Sequence, residues 1–62
     1  MDRESILSMD PVILLSMVNM KLRDSFSSLE EFCDDLDISE KEICDKLGAI
    51  GCTYIREINQ FR

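Results

Sequence analysis

A nine-residue pattern written twice does most to limit what this chain can fold into. Ser28-Leu29-Glu30-Glu31-Phe32-Cys33-Asp34-Asp35-Leu36 and Ser39-Glu40-Lys41-Glu42-Ile43-Cys44-Asp45-Lys46-Leu47 both read S-x-x-E-Φ-C-D-x-L, with Φ apolar, and begin eleven residues apart. Each reads as a capping box: the Ser hydroxyl accepts from the backbone N–H three residues on, and the Glu there reaches back to the Ser N–H. Only Asp37-Ile38 lies between the two bodies, room for a tight corner between two short helices. A single helix with an eleven-residue supercoil period is the competing explanation. It fails because Asp37 and Ser39 are weak helix formers, and a capping box in mid-helix finds no free N–H groups. The local grammar is that of a helix-turn-helix.

The flanks supply one more helix. Asp10-Pro11 gives an N-cap followed by Pro at N1, where a missing N–H costs nothing. Ser25, Ser27 and Ser28 around Phe26 supply the break before the repeat. Helices are therefore expected over about 11–25, 29–36 and 40–50, with residues 1–9 as an N-terminal arm able to lay Ile6, Leu7 and Met9 against the core, and 10–62 as a single small helical domain. Leu14, Leu15, Val18, Leu22, Phe32, Leu36, Ile43 and Leu47 are the expected core. Ile38 at N′ and Ile43 at N4 of the third helix form a hydrophobic staple. Gly51 is its natural C′ residue. Gly48 costs that helix up to about 1 kcal/mol relative to Ala, unless it permits close approach of the first helix.

The first helix carries more apolar surface than one core face requires. Leu14, Leu15, Val18 and Leu22 make one stripe; Ile13, Met17 and Met20 make a second. A 62-residue chain can hide one stripe fully and the other only with difficulty. Ile13, Met17 and Met20 are thus a candidate contact surface for a protein partner or a second copy, with thioethers suited to adaptable packing. The alternative is cover by the arm or the tail. Asn19, Arg23, Asn59 and Gln60 form a second, polar candidate surface. Its alternative is structural, with the amides capping tail backbone and Arg23 pairing with a local carboxylate.

Composition narrows the chemistry. Three cysteines and no histidine, with no C-x-x-C pair, make a poor metal set and an unpromising disulfide scaffold. Reduced, largely buried thiols and a cytoplasmic setting follow. The apolar stretch from Val12 to Leu22 is about half the ~20 residues a spanning helix needs, and Met1-Asp2-Arg3-Glu4 lacks the basic start of a signal peptide. A soluble protein is expected. Without histidine there is no Ser-His or Cys-His dyad, no Gly-rich phosphate loop is present, and the acidic run lacks an EF-hand's spacing. No enzyme activity, cofactor or small-molecule substrate is expected.

The net charge of −6 falls within Ser28–Lys46, where eight acids face Lys41 and Lys46. A solvated acidic face is the plain reading, and attraction to a basic partner the functional one. DNA binding is the alternative a helix-turn-helix invites. Yet Ser39, Glu40, Lys41 and Glu42 would stand at the groove, where affinity comes from Lys and Arg replacing counterions.

The tail from Cys52 to Arg62 is ambiguous. Tyr54, Ile58 and Phe61 have helical spacing, while Thr, Tyr, Ile and Phe suit strands and Arg56-Glu57 could turn a hairpin. Periodicity does not decide. Asp10-Pro11, Leu14-Leu15-Ser16, Val18-Asn19, Lys21-Leu22-Arg23-Asp24, Ser28-Leu29, Cys33, Leu36-Asp37, Gly51, Tyr54 and Asn59-Gln60-Phe61 together resemble a family of short bacterial proteins known only as a domain of unknown function. The likeness runs from Asp10 onward, and D-P-x-x-L-L-S-x-V-N-x-K-L-R-D is its most specific part. In that family an aromatic usually follows the glycine and a turn-rich segment precedes N-Q-F; here Cys52 and Ile55-Arg56-Glu57-Ile58 stand in those places. The resemblance implies a bacterial source and a short C-terminal β-hairpin; with the helices read from the residues, the expected fold is mainly α, a three-helix helix-turn-helix-like domain ending in that hairpin. It carries no activity. The overall expectation is a protein-interaction module.

Overall fold

Asp10 closes the start of the longest helix as its sequence context requires: its Oδ1 accepts from the Val12 N–H at 2.9 Å, and Pro11 occupies the first turn. The computed structural model describes residues 3–62; residues 1 and 2, the beginning of the expected arm, lie outside the described residues. Four helices follow one another: α1 (Arg3–Ser8), α2 (Pro11–Asp24), α3 (Leu29–Leu36) and α4 (Glu40–Gly48). Strands β1 (Tyr54–Ile55) and β2 (Gln60–Phe61) then form an antiparallel hairpin around a 3₁₀ turn at Arg56–Ile58. The fold is mainly helical with the expected terminal hairpin, and among the described residues the α-helices number four rather than three.

The added helix is α1. Six residues cannot hold a helix by themselves, and this segment is too short to show a period in sequence. Packing makes it. Ile6 is fully buried, Leu7 and Met9 lean on the core, and Arg3 pairs with Glu42 of α4.

Both repeats begin with a serine cap, but only the second is reciprocal. Ser39 Oγ accepts from the Glu42 N–H at 3.3 Å, and Glu42 accepts from the Ser39 N–H at 3.2 Å. At α3, Ser28 Oγ accepts from the Glu31 N–H at 3.1 Å, whereas the Glu31 carboxylate takes the Ser27 N–H at 3.0 Å instead of that of Ser28. The expected first box is therefore shifted by one residue. Ser28 has φ −157° where Ser39 has −78°, and that rotation about N–Cα redirects its N–H. The Ser27 backbone N–H holds the Glu31 carboxyl below its ordinary pKa.

The corner between α3 and α4 is a left-handed Asp37 at φ 54°. The Ile38 N–H reaches back to the Cys33 carbonyl at 3.0 Å, a Schellman closure made without glycine. Ile38 and Ile43 are both buried, as a staple demands. The end of α4 repeats the device: Gly51 has φ 82° and the Cys52 N–H donates to the Leu47 carbonyl at 3.0 Å. The turn before that closure tightens, with the Ile50 and Gly51 N–H groups donating three residues back at 3.2 and 3.0 Å, so α4 ends at Gly48, two residues short of expectation.

The core joins Leu14, Val18 and Leu22 of α2 to Leu29, Phe32 and Cys33 of α3 and Ile43 and Leu47 of α4, with Ile38 from the corner. Ile6 and Phe61 complete it from the two ends of the chain. Leu15 and Leu36, expected inside, are only half-buried at its margin. Phe26 sets its ring edge-on to Phe32 at 5.5 Å.

Gly48 permits no close helix approach: a Cβ built there meets nothing within 4 Å. Gly48→Ala is expected to raise the unfolding free energy by about 0.5–1 kcal/mol through reduced unfolded-state freedom. Gly51→Ala, forced into the left-handed region, should lower it by about 1–2 kcal/mol. Urea denaturation of both variants checks the opposite signs.

Candidate functional site

Two surfaces meet on α2, and its sequence assigns a different side to each. Asn19 lies next to the buried Val18 and faces β2. Its Nδ2 donates to the Phe61 carbonyl at 3.1 Å, and its Oδ1 accepts from the Phe61 N–H at 2.8 Å. Asn59 stands in the left-handed conformation at φ 52°, which carries its amide towards the end of α2. There Nδ2 donates to the carbonyls of Leu22 (3.0 Å) and Phe26 (3.1 Å), both past the reach of helical N–H groups. The Tyr54 hydroxyl donates to Asn59 Oδ1 at 2.6 Å and accepts from the Leu29 N–H at 3.3 Å. Gln60 Nε2 donates to the carbonyls of Asn19 and Asn59.

The three amides of the polar candidate surface are thus engaged with backbone, in the structural arrangement the sequence allowed. Arg23 is not part of their network. Its guanidinium forks onto the neighbouring Asp24, Nε to Oδ1 at 2.8 Å and Nη2 to Oδ2 at 3.1 Å, in solvent. That hydrogen-bonded pairing lowers the Asp24 pKa and raises that of Arg23. Arg23 and Asn59 do share the wall of a shallow depression of about 410 Å³, floored by Leu22 and Phe26.

The apolar candidate surface is displaced around the helix. Ile13 is 62% exposed and Met20 46% exposed, but Met17 is half-buried against the core. Val12, not singled out in sequence, is 60% exposed. The arc in solvent is therefore Val12, Ile13 and Met20 around Ser16. Its signal was present in the two-residue apolar step Val12-Ile13 at the start of α2, where one residue falls on each side of a stripe.

The acidic helices keep their charges in water. Glu30, Asp34, Asp35, Asp37 and Glu40 are exposed; Asp45 pairs with Lys41 at 2.6 Å. Among the described residues no group of three or more His, Cys, Asp or Glu could hold a metal ion. The three cysteines are free thiols. Burial pushes the Cys33 thiol up to about 11, with the Glu40 charge adding to it, and burial also raises Cys44. Neither favours a thiolate nucleophile.

The model of the family described as Domain of unknown function (DUF4250) matches residues 8–61. The chain belongs to that family. Comparison with curated proteins and with solved structures gave no match. Among the described residues no helix of this DUF4250 chain is long and apolar enough to cross a membrane. Its family match runs from the end of α1 to β2 and so takes in both Asn19 and the Asn59-Gln60-Phe61 segment that it binds.

Asn59→Ala leaves the Leu22 and Phe26 carbonyls without their donor and places a Cβ in the left-handed region. A loss of about 2–3 kcal/mol is expected in urea denaturation, and Asn59→Gly should recover about 1 kcal/mol of it by relieving the backbone alone. Equal losses for both would remove the backbone component.

Proposed function

We propose that this chain is a non-enzymatic protein-interaction module whose docking surface is the exposed arc of α2. One observation carries the reading. Val12 and Ile13 stand more than half in water, and Met20 nearly so, on the helix that supplies the core with Leu14, Val18 and Leu22. A stretch from Pro11 to Met20 without a charged side chain, apolar both inward and outward, is what a helix shared with another chain looks like. The polar candidates support the same choice, because Asn19, Asn59 and Gln60 already bond to backbone.

Nucleic acid is a poor fit as partner. The first turn of α4 carries Glu40 and Glu42, and its cations are offset locally, Lys41 by Asp45 and the nearby Arg3 by Glu42. Little positive charge remains there to displace counterions. Catalysis draws no support from Cys33, whose thiolate burial disfavours. The free thiols support a reducing, cytoplasmic setting.

A photo-crosslinking amino acid placed at position 13, and at exposed position 35 as control, tests the reading in the native host. Protein adducts are expected from position 13 and not from position 35. No adduct at 13, or equal adducts from both, would overturn it.

A further inference from the structure

We propose that the partner of the α2 arc is a second copy of this chain, laid antiparallel across a two-fold axis near Ser16. The proposal rests on reading that arc as a docking surface. Three features select a second copy. First, the arc is complementary to itself: with Ser16 at the crossing, residues four before and four after it meet, so Val12 of each copy packs on Met20 of the other. Ser16 is exposed and small, which lets the two helices approach.

Second, the ends of α2 carry opposite charges. Asp10 caps the start, and in the last turn Lys21 and Arg23 outweigh Asp24, which pairs with Arg23. An antiparallel pair lays the basic last turn of each copy towards the acid-capped start of the other and opposes the helix dipoles. A parallel pair would set Asp10 against Asp10. Third, α2 with its cap holds two acids and two bases, while the net charge of −6 falls within Ser28–Lys46. The α2 arc is where two copies of an acidic chain can meet with least repulsion. A basic partner would be drawn to α3 and α4 instead.

One helix face is a small interface, so the dimer belongs at the weak end, with a Kd of order ~10–100 µM. Sedimentation equilibrium from ~10 µM to ~1 mM spans that range. The wild type should pass from monomer to dimer, and Met20→Glu should weaken dimerisation by at least ~10-fold, because it buries an unpaired charge. Circular dichroism of Met20→Glu should match the wild type, the site being solvent-facing. A wild type monomeric at the top concentration, or a folded Met20→Glu that dimerises equally, would overturn the proposal. Crosslinks from position 13 add the partner's identity. Adducts of twice the chain mass, mapped near Met20 of the second copy, are expected. Adducts only to other proteins, or self-adducts mapped to position 13 itself, would overturn the antiparallel dimer while leaving the docking surface standing. Absence of any adduct would remove both.

Discussion

The bidentate contact between the Asn19 amide and the backbone of Phe61 is the constraint on which the assembly of this small domain depends. Two-residue strands do not stand alone in water. In the hairpin, Thr53 and Arg62 exchange both backbone bonds, at 2.8 and 2.9 Å. The adjoining pair Tyr54 and Phe61 is then the non-bonded kind, with the Phe61 N–H and C=O turned outwards. Asn19 meets both with one side chain, as the backbone of a neighbouring strand would. Helix α2 thereby acts as the third strand of a sheet too short to have one, and Phe61 is carried into the core between them.

Other parts of the structure follow from that contact. Once β2 lies on α2, the left-handed Asn59 reaches the open carbonyls at the helix end, and the Tyr54 hydroxyl reaches both Asn59 and the start of α3. One network thus satisfies the C-terminus of α2, the N-terminus of α3 and the hairpin turn, in a region with no buried unsatisfied side-chain polar atom among the described residues. With one side of α2 given to the core and another to the hairpin, its remaining side is left with Val12, Ile13 and Met20 in water. The docking surface proposed for this chain is the side that internal packing leaves over.

Where the chain carries strong local chemistry, its structure was legible in the sequence. The repeated serine caps, the Ile38–Ile43 staple, Asp10-Pro11 and Gly51 act within a turn or two, so α2, α3 and α4 could be placed to within about two residues. Features made by distant contact were not legible. Helix α1 exists because Ile6 finds the core and Arg3 finds Glu42, 39 residues away; the apolar Ile6, Leu7 and Met9 are legible as core-facing, whereas the helical form of the arm is not. Periodicity leaves the tail ambiguous for the same reason, since its strands are set by Asn19, 42 residues from Phe61; the hairpin was implied by the family resemblance alone. Within the candidate surfaces, spacing grouped Met17 with Ile13 and Met20, but the core takes Met17 in part and exposes Val12. The Glu31 cap moved to Ser27 because a backbone angle, not a residue type, decides which N–H lies in reach.

Native-state hydrogen exchange at the Phe61 N–H tests this dependence most directly. That proton sits on the last strand of the chain, where fraying would ordinarily expose it. If Asn19 ties the hairpin into the cooperative unit, Phe61 should exchange only through global unfolding, with the same opening free energy and denaturant dependence as the amides of Val18 and Leu22, and Asn19→Ala should release it. Exchange of Phe61 through a local opening many-fold more frequent than that of Leu22 in the wild type would show the hairpin to be an appendage, and would contradict the central role of Asn19 in holding the domain together.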